Sequence, residues 1–277
     1  MRALLAIDLY ENSASTIAVA VSWAARMGAT LDLVTASEMT WDADLFAGRD
    51  EELEQTFERK LDGIKAVLSR RLPEIPEPMR GEAKAVRGRI ASALIDAAKG
   101  YDLLIIATHG RKGMERLFAG SVAERVIRSV TCPVLVTRLD AEPVPLSDPL
   151  KVIFPVDSEE PNDKAIRWGR RLLGKDHDFR AMYAVPRMAT LEEHPYAKWS
   201  RERLGLVTVT GGLADIPREI RACTGNPGDE IGRYAAEIGA ALIAMPTHTR
   251  TVLGRLAFGS VAERVVRVAP CAVLIVR

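Results

Sequence analysis

One segment of this chain is written twice. Residues 108–138 read THGRKGMERLFAGSVAERVIRSVTCPVLVTR, and residues 247–277 read THTRTVLGRLAFGSVAERVVRVAPCAVLIVR. The copies superpose without a gap at a shift of 139 residues, the separation of His109 from His248. Residues 120–128 and 259–267 then differ only at Ile127 and Val266. The starts of the halves echo as well, since ALLAIDLYENS resembles KVIFPVDSEEPN and sets Asp8 opposite Asp157. A repeat this long is a duplicated domain, not a solenoid unit. Between the copies, LDAEPVPLSDPL carries Pro143, Pro145 and Pro149, the composition of a short, stiff linker. The boundary is expected near residue 145, with one domain over 1–140, a linker over 141–149 and a second domain over 150–277. Each half is long enough to bury its own core, roughly two-thirds of its unfolded surface.

Within each half, short apolar runs alternate with amphipathic stretches. In the first, RALLAID, TLDLVTA, GEAKAVRG, DLLIIAT and PVLVTR read as strands. SASTIAVAVSWAARMG, DEELEQTFERKLDGIKAVLSRRL, RIASALIDAAKG and GSVAERVIRSV read as helices, the second with Leu53, Phe57, Leu61 and Ile64 on one face. The second half repeats this order, with DEIGRYAAEIG and ALIAMPT as its third helix and fourth strand. Such alternation predicts a doubly wound α/β fold, a parallel sheet covered on both faces with right-handed crossovers. Ligands of these sheets bind beyond the carboxyl ends of the strands. Asp8, Asp157 and the start of the repeated segment all fall there.

Composition narrows the function classes. A net charge of +1 gives no electrostatic footprint for nucleic acid or an anionic membrane. No apolar run approaches the ~20 residues that span a bilayer, and the opening run is too short for a signal peptide. Three cysteines without a CxxC pair point to a reducing cytoplasm. The four histidines are scattered without ligand spacing, so no metal site is expected.

The chemistry lies after the fourth strand of the first half. Ala107 and Gly110 are followed, nine residues on, by Gly120 and Ser121 at a helix start. Gly110 can take positive φ and lets a ligand approach the backbone closely. Free amides at the helix start, together with the helix dipole, suit an anion. Two backbone approaches joined by a long loop fit a polyphosphate, with Asp8 across the cleft to accept from ribose hydroxyls or an adenine amine. The same residues have a ligand-free reading: Ser121 and Glu124, like Ser260 and Glu263, spell the capping box S-x-x-E. That reading accounts for the serine and glutamate, but not for Gly110 or the loop length.

These motifs resemble those of the universal stress protein family, and the resemblance covers essentially the whole chain as a tandem member. Nucleotide-binding members of that family carry G-x2-G-x9-G-[S/T] after the fourth strand. The first half matches with Ala107 at the first glycine, then Gly110, Gly120 and Ser121. The resemblance implies a five-stranded parallel sheet of order 3-2-1-4-5, the adenine nucleotide alpha hydrolase-like fold. It implies ATP, with Mg2+ as companion, held at Asp8, Ala36, Ala107, His109, Gly110, Gly120, Ser121 and Val122, with Ala36 beside the adenine. The second half departs from the pattern. Pro246 at the first glycine position has no N–H to donate, and Thr249 at the second resists positive φ. The first half is therefore expected to bind ATP and the second weakly or not at all.

Other residues carry less. His109 and His248 are matched, but no P-loop, HxGH pair or SGGxDS loop accompanies them, so they read as fixing loop geometry. Arg111 and Lys112 suit either a triphosphate tail or a solvated loop. Trp41 and Phe46 suit a flap or, more simply, packing. Cys132 and Cys271 read as buried packing residues. In order 3-2-1-4-5 the fifth strand is an apolar edge, and such edges invite pairing. Single-domain relatives dimerise through this strand, which implies an intrachain pseudo-dimer with residues 133–138 antiparallel to 272–277. Two chains could associate further as a homodimer. A regulatory nucleotide-binding protein of stress response, acting through a partner protein, is the leading functional expectation. A slow ATPase or phosphotransferase, with Asp8, His109 and Glu124 the groups near enough to serve, and a nucleotide-free scaffold are the alternatives.

Overall fold

Successive residues of a strand face opposite sides of a sheet, and the apolar runs of this chain bury both. In β1 (Arg2–Ala6), Ala3 and Leu5 enter one core while Leu4 enters another. In β4 (Leu103–Thr108), Leu103 and Ile105 face the first core and Leu104 and Ile106 the second. The remaining strands of the first half are β2 (Thr30–Ser37), β3 (Arg80–Arg87) and β5 (Val134–Arg138). The second half supplies β6 (Lys151–Pro155), β7 (Asp178–Pro186), β8 (Arg218–Cys223), β9 (Leu242–Pro246) and β10 (Ala272–Val276). This is a computed structural model, which describes residues 1–9, 13–38, 50–108, 122–145, 149–156, 163–174, 176–186, 216–223, 225–246 and 259–276.

All ten strands form a single sheet of order β3-β2-β1-β4-β5-β10-β9-β6-β7-β8. Each half has the expected order 3-2-1-4-5, and every pairing within a half is parallel. The junction is antiparallel and central: Val136 pairs with Val273, Leu135 with Leu274 and Val134 with Ile275. Leu135 and Leu274 are repeat equivalents, so a pseudo-two-fold axis passes between them. Both are fully buried. The expected edge-to-edge pairing is thus present, with Arg277 outside the described residues.

One face of the sheet carries α1 (Ser13–Arg26), α2 (Asp50–Ser69) and α5 (Asp163–Leu173). The other carries α3 (Ile90–Ala97), α4 (Val122–Ser129), α6 (Pro227–Ile238) and α7 (Ser260–Val268). Helix α2 buries Phe57 and Leu68, with Leu53, Leu61 and Ile64 half-buried on the same side, as its periodicity predicts. Helix α6 begins two residues before the predicted DEIGRYAAEIG. Asn226 is its N-cap, accepting from the Gly228 amide at 2.8 Å, and Pro227 follows in the first helical position. Gly239 ends it in the left-handed conformation at φ 64°. Gly228 and Gly232 lie against α7, where an added Cβ would stand 2.7 Å from the Cβ of Arg264 and 2.8 Å from Cγ2 of Val268.

The linker crosses α1. The Val144 amide donates to Ser22 Oγ at 2.9 Å, and Arg26 donates to the Pro145 carbonyl. A cleft of about 750 Å³ lies beneath it, bounded by Trp23, Val144, Leu150, Lys151, Cys271 and Ala272. It lies where the amino ends of β6 and β10 meet the carboxyl end of β5, with Thr137 and Arg138 in its wall. Cys132 is buried; Cys271 is half-buried, and desolvation pushes its thiol up to about 12.

Candidate functional site

β2, β1 and β4 are neighbours in the sheet and run parallel, so their carboxyl ends lie side by side. Past the end of β1 the Ile7 amide still donates to the Val34 carbonyl at 2.9 Å, and the exposed Asp8 comes next. Ala36, paired with Val86, is half-buried at the end of β2. Ala107, paired with Thr137, is half-buried near the end of β4. Thr108 closes that strand, its hydroxyl donating to the Thr137 carbonyl at 3.3 Å. Val122, the first residue of α4, is 37% exposed. The sheet therefore gathers Asp8, Ala36 and Ala107 at one rim: a carboxylate flanked by two small side chains. Of the other predicted site residues, His109, Gly110, Gly120 and Ser121 lie outside the described residues, as do Arg111, Lys112, Trp41 and Phe46.

The second copy tests the ligand-free reading. There the capping box does not form. Gly259, at φ −62° and ψ 141°, is the N-cap of α7 and makes no side-chain cap, while Ser260 is already inside the helix. A hydroxyl in that position is past the place from which it would accept the first-turn amides. Glu263 turns instead to Arg267 at 3.0 Å and to Arg128 of the first half at 3.5 Å. At the rim, Pro246 ends β9 in register with Val276, a strand end with no amide hydrogen. Asp157, Thr249 and Gly254 lie outside the described residues.

At the opposite end of the first half sits a polar cluster that sequence reasoning missed. Asp32, third in β2, is almost fully buried. Its carboxylate accepts from the Tyr101 hydroxyl, from the Glu82 amide at 2.9 Å and from Arg2 Nη2 at 2.9 Å. Lys84 Nζ donates to the Tyr101 oxygen at 2.7 Å. Desolvation pushes the Asp32 carboxyl up, but the Tyr101, Glu82 and Arg2 bonds outweigh it and hold it below the ordinary range. The Tyr101 hydroxyl moves the other way, raised by burial and by Asp32. Only glycine fits at 81, because an added Cβ would overlap Asp32 Oδ1. Asp32 is level with Leu4 in β1, four residues or about 13 Å along the strand from Asp8. The cluster ties the amino ends of β1, β2 and β3 together, and the alternation of TLDLVTA was the one signal that a lone aspartate faces inward. Among the described residues no group of histidine, cysteine or carboxylate side chains could hold a metal, and no helix is long and apolar enough to cross a membrane.

Comparison with known proteins agrees with this architecture. The family model described as "Universal stress protein family" matches residues 1–138 and again 150–277. A universal stress protein of Thermus aquaticus is 32% identical over 137 residues, covering 49% of this chain and 96% of that protein. One of Bacillus subtilis is 27% identical over 145 residues, covering 49% and 97%. The crystal structure of a universal stress protein from Archaeoglobus fulgidus superposes with a TM-score of 0.64 at 18% identity, covering 100% of this chain and 98% of that one.

Proposed function

Because the chain belongs to the universal stress protein family, we propose that it is an ATP-binding regulatory protein of stress response in the cytoplasm, with its nucleotide in the first half. The domains divide as the sequence suggests, at 1–140 and 150–277, joined by 141–149. Asp8 and Ala36 hold the nucleoside. The backbone at Ala107, His109 and Gly110, with Gly120, Ser121 and Val122 opening α4, holds the phosphates. The observation that carries this reading is the rim itself. Asp8, Ala36 and Ala107 stand at the ends of three adjacent parallel strands, with small side chains where a flat base must approach. The described residues fit a nucleotide: one carboxylate for hydroxyl or amine donors, and a helix N-terminus for anionic oxygens. Bound there, ATP would bring negative charge to the start of α4, with Mg2+ as its counter-ion, and what a partner protein meets at that rim would change with occupancy.

The second half keeps the fold and not the ligand. Pro246 removes one amide from the rim, and Thr249 replaces the second glycine. Denaturing the purified chain and quantifying released nucleotide tests both statements. One adenine nucleotide per chain is the expected result. Two would overturn the asymmetry, and none, with no thermal response to added ATP, would leave the scaffold reading in its place. Turnover in Mg2+ at enzymatic rates would favour the phosphotransferase reading.

A further inference from the structure

The two copies agree most closely where a ligand explains only one of them. S-V-A-E-R-V-x-R stands in both halves, although the strand end that precedes it has changed from Ala107 to Pro246. If the second half binds no nucleotide, its α7 has kept this sequence for another reason. The structure supplies one. Val126 and Ile127 of α4 and Ala262, Val265 and Val266 of α7 enter one core that runs across the pseudo-two-fold seam. At its edge four charged side chains form a chain across that seam. Glu124 meets Arg128 at 2.7 Å, Arg128 meets Glu263 at 3.5 Å, and Glu263 meets Arg267 at 3.0 Å. Glu124 and Glu263 are repeat equivalents, and so are Arg128 and Arg267. The same residue types from each copy thus build the contact, as in an isologous interface.

Arg128 is the link, because its guanidinium holds one carboxylate from each domain. Glu124, its partner at home, lies in the first turn of α4, immediately after the residues assigned to the phosphates. Side-chain exposure along the chain lies between 13% and 36%, so bulk salt screens these charges only in part. A shift or tightening of the first turn of α4 moves Glu124, and with it the balance of Arg128 between Glu124 and Glu263.

We propose that the Arg128–Glu263 pair transmits the nucleotide state of the first domain to helix α7 of the second, which has lost its own site and kept the helix that reads its neighbour's. The inference rests on the nucleotide reading above and assigns Arg128 and Glu263 as positioning residues, not as ligands of ATP.

Hydrogen–deuterium exchange on the full chain, with and without ATP, tests it in the wild type, Arg128→Gln, Glu263→Gln and Arg128→Lys. In the wild type ATP slows exchange both at the start of α4 and across 260–268. In Arg128→Gln and Glu263→Gln the response at α4 persists and that at α7 is lost. By reciprocity, ATP affinity falls by no more than the factor by which exchange at α7 had slowed. Arg128→Lys, which keeps the charge, restores part of the response, as a purely structural loss would not. Protection of α7 that survives in both glutamine variants overturns the relay. So does a wild type whose α4 responds to ATP while α7 does not, and that outcome leaves the nucleotide site standing. If neither helix responds and ATP does not bind, the nucleotide reading fails and the relay falls with it. Should Arg128→Gln unfold, Glu263→Gln breaks the same link from the other domain.

Discussion

β4 ends in Ala107 and Thr108, whereas its repeat β9 ends in Pro246. The amino ends of the two halves differ as much. Level with the middle of β1, the first half buries Asp32 under Arg2, Tyr101 and the Glu82 amide. Level with the middle of β6, the second half has Arg180, a guanidinium raised by Asp178 and Tyr234. The cores meanwhile match strand for strand, and the central pair joins equivalent leucines. Duplication has thus held packing constant while the polar residues at both ends of the sheet took separate courses. Burial constrains every neighbour at once, so core positions drift together or not at all. A rim residue answers mainly to what it touches.

The comparison can be broken in four places. The most complete loss, of the whole ligand response, is expected at Gly110. A bulky residue there, such as Gly110→Val, removes the stabilisation by ATP, which in the wild type reaches about 2.7 kcal/mol at a hundredfold excess over Kd. The equivalent change Thr249→Val leaves the thermal response untouched, and equal losses in both variants would refute the asymmetry. Next comes the seam. Leu135→Ala and Leu274→Ala each cost about 2–5 kcal/mol in urea unfolding, and they cost alike because the residues are equivalent and fully buried.

Third is acid. The folded-state pKa of Asp32 lies below the ordinary aspartate value. Its contribution is therefore complete above that value and is lost as pH falls through the lowered one. Peptides of the first half should open to hydrogen exchange before those of the second under acid. Asp32→Asn, which costs about 1–3 kcal/mol at neutral pH, should abolish that order. The smallest effect is at the linker. Ser22→Ala removes the hydroxyl that receives the Val144 amide and costs about 1 kcal/mol. Among the described residues of the second half, no segment is bonded to α5 in this way.

Much of this was legible in the residues. The short apolar runs gave the strands, the 139-residue shift gave the duplication, and an apolar fifth strand, an edge in the order the family resemblance implies, led to the antiparallel seam. Asn226 and Pro227 spell a helix start two residues ahead of the apolar pattern that marks α6. What the sequence hid depends on long-range geometry. S-x-x-E at Ser260 and Glu263 has the spacing of a capping box, but spacing is silent on an arginine arriving from the other domain. That competition sends Glu263 across the seam. Asp32 was invisible for the same reason, since its partners lie 30, 50 and 69 residues away. At the candidate site, Asp8, Ala36 and Ala107 fall together because strand order places them, the order that the family resemblance implies.

A linker that crosses α1 and ties the halves together has a consequence for stoichiometry. Pairing between separate single-domain chains weakens on dilution and sorts partners by abundance. Here the halves meet at an effective concentration on the order of millimolar whatever the amount of protein. Every molecule therefore carries one half of each kind, at any expression level. A mixture of free domains would instead yield like pairs alongside unlike ones, so covalent tethering fixes the ratio of rim to altered rim at one to one.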